Sequence, residues 1–103
     1  MKWYSKLWLS PKAAKRKNAL FQAIDSGKGA ADVYVITPAQ NPGNLLDIIP
    51  AKEKSLAGIN ENSSLYILGL ACGKKEAFEL VRCMVDRVYQ ETSGLDIRGY
   101  FSE

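Results

Sequence analysis

Leu65-Tyr66-Ile67-Leu68-Gly69-Leu70-Ala71, then Cys72-Gly73, then the long pattern from Lys74 to Thr92, is the stretch that decides the fold. The first run is apolar, short and bounded before it by the polar Asn60–Ser64, which is how a buried strand reads. Cys72-Gly73 is a tight turn. From Lys74 onward Ala77, Leu80, Val81, Met84, Val85, Val88 and Tyr89 recur at helical spacing with Phe78 beside them, a wide apolar stripe. Opposite it, Lys75–Glu79, Arg82–Asp86 and Arg87–Glu91 stand four residues apart, as on a solvated helix face. Gly94 is the expected stop. Ile97-Arg98-Gly99-Tyr100-Phe101 then reads as a closing strand, and strand–helix–strand predicts a right-handed parallel crossover.

Upstream, Ser10-Pro11 opens a helix, with a serine cap and a proline where its missing N–H costs nothing. Ala13, Lys17, Leu20, Phe21 and Ile24 share one side, and Gly27 ends it. Asp32-Val33-Tyr34-Val35-Ile36-Thr37 is β-branched and aromatic, hence a strand. Turn residues fill Pro38 to Asn44, and Leu45-Leu46-Asp47-Ile48-Ile49 follows as the second arm of a hairpin, with Pro50 arguing against a helix there. The stretch from Ala51 to Asn62 is polar, with a helical turn at Ser55–Gly58, and reads as surface connection. Residues 1–9 carry both tryptophans and are too apolar for a frayed tail, so they are expected to pack on the body.

The sum is one α+β domain over residues 1–103, in the order helix, strand, strand, strand, helix, strand. Four strands form one mixed sheet with both helices on one face. The other face would then be open, with Tyr34, Ile36, Tyr66, Leu68 and Tyr100 or their alternates on it.

Composition closes several routes. The chain has no histidine, so a Ser-His-Asp triad, a Cys-His pair and a histidine zinc site cannot be built within it. Two cysteines make no disulfide framework, and the short basic-apolar start is neither a signal peptide nor a membrane span. Free thiols in a reducing cytoplasm are expected, with no metal and no cofactor. The net charge of +3 is uneven: residues 1–28 hold seven cations against Asp25, a local +6, and the remainder carries −3.

The runs Asn44–Ala51, Leu65–Ala71, Asp86-Arg87-Val88-Tyr89 and Asp96–Phe101 resemble a group of small uncharacterised bacterial α/β proteins over about the last two-thirds of the chain. The resemblance implies a stand-alone domain in a bacterial cytoplasm. It carries no activity and no site residues.

Two stretches are candidates for chemistry. Cys72, Gly73, Lys74 and Lys75 sit at a strand-to-helix turn, where helix amides and cations could hold an anion or activate the thiol. The plain reading is a turn glycine beside a small buried cysteine. Cys83 is read as an inert thiol at the core margin. Lys12, Lys15, Arg16 and Lys17, with Trp3, Tyr4 and Trp8 near in sequence, could neutralise phosphates and stack on bases. The plain reading there is a solvated helix face. Asp32, Asp47, Asp96 and Glu103 read as ordinary surface charge, with no acid–base pair to assert. The first functional reading is a non-enzymatic association module that pairs with itself, or with another protein, through the sheet. Nucleic-acid binding by the first helix is its rival, and an anion or thiol site at Cys72 comes third.

Overall fold

A computed structural model describes residues 2–39, 43–52 and 66–102. Four strands, β1 (Lys2–Leu9), β2 (Gly29–Pro38), β3 (Leu46–Lys52) and β4 (Tyr66–Cys72), form one mixed sheet in the order β1-β4-β2-β3. Among the described residues there are four helices: α1 (Pro11–Lys15), α2 (Lys17–Asp25), α3 (Lys74–Thr92) and α4 (Ile97–Tyr100). The α+β class and the four-stranded mixed sheet are those expected from the sequence. The hairpin forms too, with β2 and β3 antiparallel from Tyr34↔Pro50 to Pro38↔Leu46. Pro50 is tolerated because β3 lies at a sheet edge. The helical turn expected at Ser55–Gly58 lies outside the described residues.

The order of elements is corrected at both ends. The fourth strand is the N-terminal segment, which pairs in parallel with β4 through Lys2↔Tyr66, Trp3↔Ile67, Trp8↔Gly69 and Leu9↔Leu70. Ile97–Tyr100 is a helical turn, so no parallel crossover follows α3. The Asp96 side chain caps that turn by accepting from the Gly99 N–H at 3.1 Å. Ile97 and Phe101, one turn apart, are both buried.

The helices also divide between the two faces of the sheet, where the sequence reading had put both on one. Ala13, Leu20 and Ile24 of α1 and α2 pack with Val33, Val35, Ile67, Leu70 and Cys72 on one side. Ala77, Leu80, Met84 and Val88 of α3, with Ile97 and Phe101, pack with Ile36, Leu46, Leu68 and Ala71 on the other. Neither face is open. Ile36 and Leu68, expected on an exposed surface, are fully buried, and Tyr34, Tyr66 and Tyr100 pack against the same cluster. A strand covered on both sides buries successive residues rather than alternate ones, and β4 is buried from Ile67 through Cys72.

Ends and kinks follow local chemistry. Ser10 caps α1 and Pro11 follows at the first helical position. The helix expected as one piece breaks at Arg16 (φ −120°, ψ 21°), whose N–H turns back to the Ala13 carbonyl at 3.0 Å. Gly27 (φ 83°) ends α2 as expected, with its N–H bonded to Ile24 and that of Lys28 to Ala23, a Schellman closure. The long helix α3 ends at Thr92, and Ser93 rather than the expected Gly94 takes the left-handed conformation, at φ 57°.

Gly69 is required where β1 lies alongside β4 at Trp8. A Cβ there would lie 3.1 Å from the Trp8 carbonyl oxygen and 3.3 Å from Leu80 Cδ2. Valine at this position is expected to cost about 1–3 kcal/mol by overpacking, read as a lowered thermal midpoint. An unchanged midpoint would show that β1 does not hold this close approach.

Candidate functional site

The junction of α1 with α3 is organised by one hydroxyl. Ser10 Oγ accepts the N–H of Cys72 at 3.1 Å and that of Ala13 at 3.4 Å, and Ser10 is almost fully buried. Glu76 lies beside the same hydroxyl, and its carboxyl is held below the usual carboxylate range. The Ser10 hydrogen bond is the largest cause, partial burial opposes it, and the Lys12 N–H and the charges of Lys12 and Lys15 assist. Glu76 Oε1 accepts the Lys12 N–H at 3.3 Å, and Oε2 lies 3.9 Å from Lys12 Nζ.

This arrangement decides how the turn at Cys72 should be read. Gly73 (φ 86°) caps α3 without a side-chain bond, and its N–H donates to the Asp32 carbonyl at 2.6 Å. Asp32 itself is left-handed (φ 58°) at an irregularity in β2. The thiol of Cys72, in a residue only 8% exposed, packs with Ala13, Val33 and Leu70. A small buried thiol among apolar groups is a packing group. Lys74 and Lys75 are exposed. The anion that the junction holds is the chain's own Glu76. Nothing in Ser10 or Glu76 announced this pairing in the sequence, since it joins residues 66 positions apart across two strands.

The basic residues Lys12, Lys15, Arg16 and Lys17 are all exposed on α1 and the start of α2. Of the three aromatics near them in sequence, the structure brings Trp3 to the helix: its ring packs on Phe21 with centroids 4.4 Å apart and the planes tilted by 40°. Tyr4 turns to the other face, edge-on to Phe101 and Tyr66. Trp8 lies on that face too, with the Arg87 guanidinium 5.6 Å above its ring.

The most prominent apolar surface is the outer shoulder of α3. Phe78, Val81, Val85 and Tyr89 follow one another at three- and four-residue steps, a single line on a helix. Phe78 is 57% exposed, Tyr89 58%, and the neighbouring Leu95 47%, with the two valines half-buried. The other flank of the apolar stripe is already used against the sheet. Arg82, Val85, Asp86, Tyr89 and Leu95 line a shallow depression of about 470 Å³ on this shoulder. Phe78 projects from the same line nearer the start of the helix. Arg82 makes an exposed ion pair with Glu79 at 2.9 Å, and Asp86 accepts from Gln90 at 3.2 Å, both easily exchanged contacts. The sequence placed these residues on one stripe but gave no sign that half of it would stay uncovered.

A second groove, of about 450 Å³, lies on the other side of α3 between Trp8, Leu9, Pro11 and Leu80. Cys83, read from the sequence as a core-margin thiol, is exposed at its lip. Among the described residues no group of three acidic or cysteine side chains could hold a metal ion. Nor is any helix among them long and apolar enough to cross a membrane.

Compared with known proteins, the chain matches no family model, no curated protein and no solved structure.

Proposed function

We propose that this protein is a non-enzymatic association module that pairs with a second copy of itself through the outer shoulder of α3. The observation that carries the reading is a knob and a hollow on one helix face. Phe78 is the knob, and the depression bounded by Val85, Tyr89 and Leu95 is the hollow. An antiparallel copy related by a two-fold axis at the level of Met84 would set Phe78 into the partner's depression and receive the partner's Phe78 in return. The same axis would bring Arg82 to the partner's Asp86 and Asp86 to the partner's Arg82. Apolar line and charge pattern are thus self-complementary about one point. The line from Phe78 to Tyr89 is about 16 Å long at helical rise, three turns of contact.

With both faces of the sheet covered, association moves from the sheet to this helix. The bacterial cytoplasm, implied by the resemblance and suited to two free thiols, is the setting in which we place it. Sedimentation velocity over a concentration series tests the pairing. The wild-type chain is expected to show a monomer–dimer equilibrium, and Val85→Glu is expected to weaken it by about a hundredfold or more. Each substitution on a two-fold axis acts twice, and every tenfold is about 1.4 kcal/mol. A wild-type monomer at every concentration would sink the proposal.

A further inference from the structure

We propose that the layer formed by α1, α2 and the first residues of β1 binds single-stranded nucleic acid, independently of the pairing through α3. Three features meet there. The first is charge, which the sheet sorts between its two sides. Residues 11–28, which carry α1 and α2, hold five cations against Asp25, whereas residues 66–102, which carry α3 and α4, hold five cations and five carboxylates. The second is freedom. Arg16 and Lys17 are exposed and form no ion pair among the described residues, whereas Lys12 pairs with Glu76 and the exposed Lys15 acts on the same carboxylate from a longer range. The third is an aromatic platform. Phe21, 39% exposed, packs on the half-buried Trp3, and the Trp3 indole N–H donates to Asp25 Oδ1 at 3.3 Å. Asp25, the one carboxylate among residues 11–28, is therefore engaged in fixing the ring.

The parts are in line. Lys17, Phe21 and Asp25 stand at four-residue steps on α2, which sets one cation of the group beside the aromatic pair. From Lys17 to Phe21 the step is about 6 Å at helical rise, and Lys12 and Lys15 precede them on α1, across the break at Arg16. Charges along one strand recur at about 3.4 Å when stacked, so the four cations can meet roughly as many successive phosphates. Unpaired bases can lie on a half-exposed ring, and cations beside it neutralise the phosphates. A duplex offers no free base face to Phe21. The ligand class is therefore a single strand, read without sequence preference.

The test is fluorescence anisotropy of a labelled oligothymidylate with the full chain, at about 50 and about 200 mM salt. Neutralising three to four phosphates predicts an affinity loss of roughly 20- to 50-fold across that range. The triple variant Lys15→Gln, Arg16→Gln, Lys17→Gln is expected to abolish most of this salt dependence. Phe21→Leu, which keeps the apolar contact with Trp3, is expected to weaken binding about tenfold with the salt slope unchanged. Circular dichroism checks that both variants fold. Absent binding, an affinity for heparin or duplex equal to that for the single strand, or an affinity unmoved by Phe21→Leu would each overturn the proposal.

Discussion

Phe101→Ala is expected to remove about 3–5 kcal/mol, a large part of the stability of a domain this size. The ring is 1% exposed and follows directly on α4. It meets Tyr4 edge-on at 5.2 Å and Tyr100 at 4.9 Å, and joins Ile36, Leu68, Met84 and Val88 in one cluster. Its carbonyl accepts the Tyr66 hydroxyl at 2.6 Å, which ties the chain end to β4. Truncation leaves a cavity among rings that cannot all close in, so transfer and cavity costs add. Urea unfolding should show a lower midpoint with an unchanged slope. Leu95→Ala, at an exposed site nearby, should stay within about 0.5 kcal/mol. Equal effects for the two would mean that the terminal segment does not plug the core.

Ser10→Ala is expected to cost about 2–4 kcal/mol, far more than a missing hydroxyl on a surface helix. Loss of the cap accounts for about 0.5–2 kcal/mol. The N–H of Cys72, buried and donating to Ser10 Oγ, is left without its acceptor, for about 1–3 kcal/mol more. Glu76 also loses the hydrogen bond that does most to hold its carboxyl below the ordinary range. Ser10→Thr, which keeps the oxygen, should recover part of the loss. If Ser10→Ala cost no more than an ordinary cap, the hydroxyl would not be the link between α1, β4 and α3.

How much of this was legible in the sequence depends on period and on cover. Ser10-Pro11, Gly27, Val33–Thr37 and Lys74–Thr92 announced themselves because cap, breaker and spacing agreed. Ile97 and Phe101 misled because a spacing of four suits both a strand of period two and a helix of period 3.6. Asp96, three residues before Gly99, was the cap that distinguished them. Residues 2–9 hid their strand for another reason. Trp3, Leu7 and Leu9 pack on one core and Tyr4 and Trp8 on the other, so the segment shows no polar side. The same two-sided cover displaced the proposed association surface. A residue pattern shows which helix face is apolar, but whether a neighbour covers it is set by topology. The exposed Phe78 and Tyr89 and the Trp3–Phe21 pair depended on where β1 lay, and β1 was the element left open.

The most direct test of the central claim is a charge exchange on α3, followed by sedimentation. Arg82→Asp alone and Asp86→Arg alone each put like charges across the proposed two-fold and should leave monomers. Mixing the two variants restores both cross-pairs, and the mixture should dimerise as the wild-type chain does. If the mixture stays monomeric while the wild-type chain dimerises, the copies do not meet antiparallel along α3, and the account of its outer shoulder is wrong.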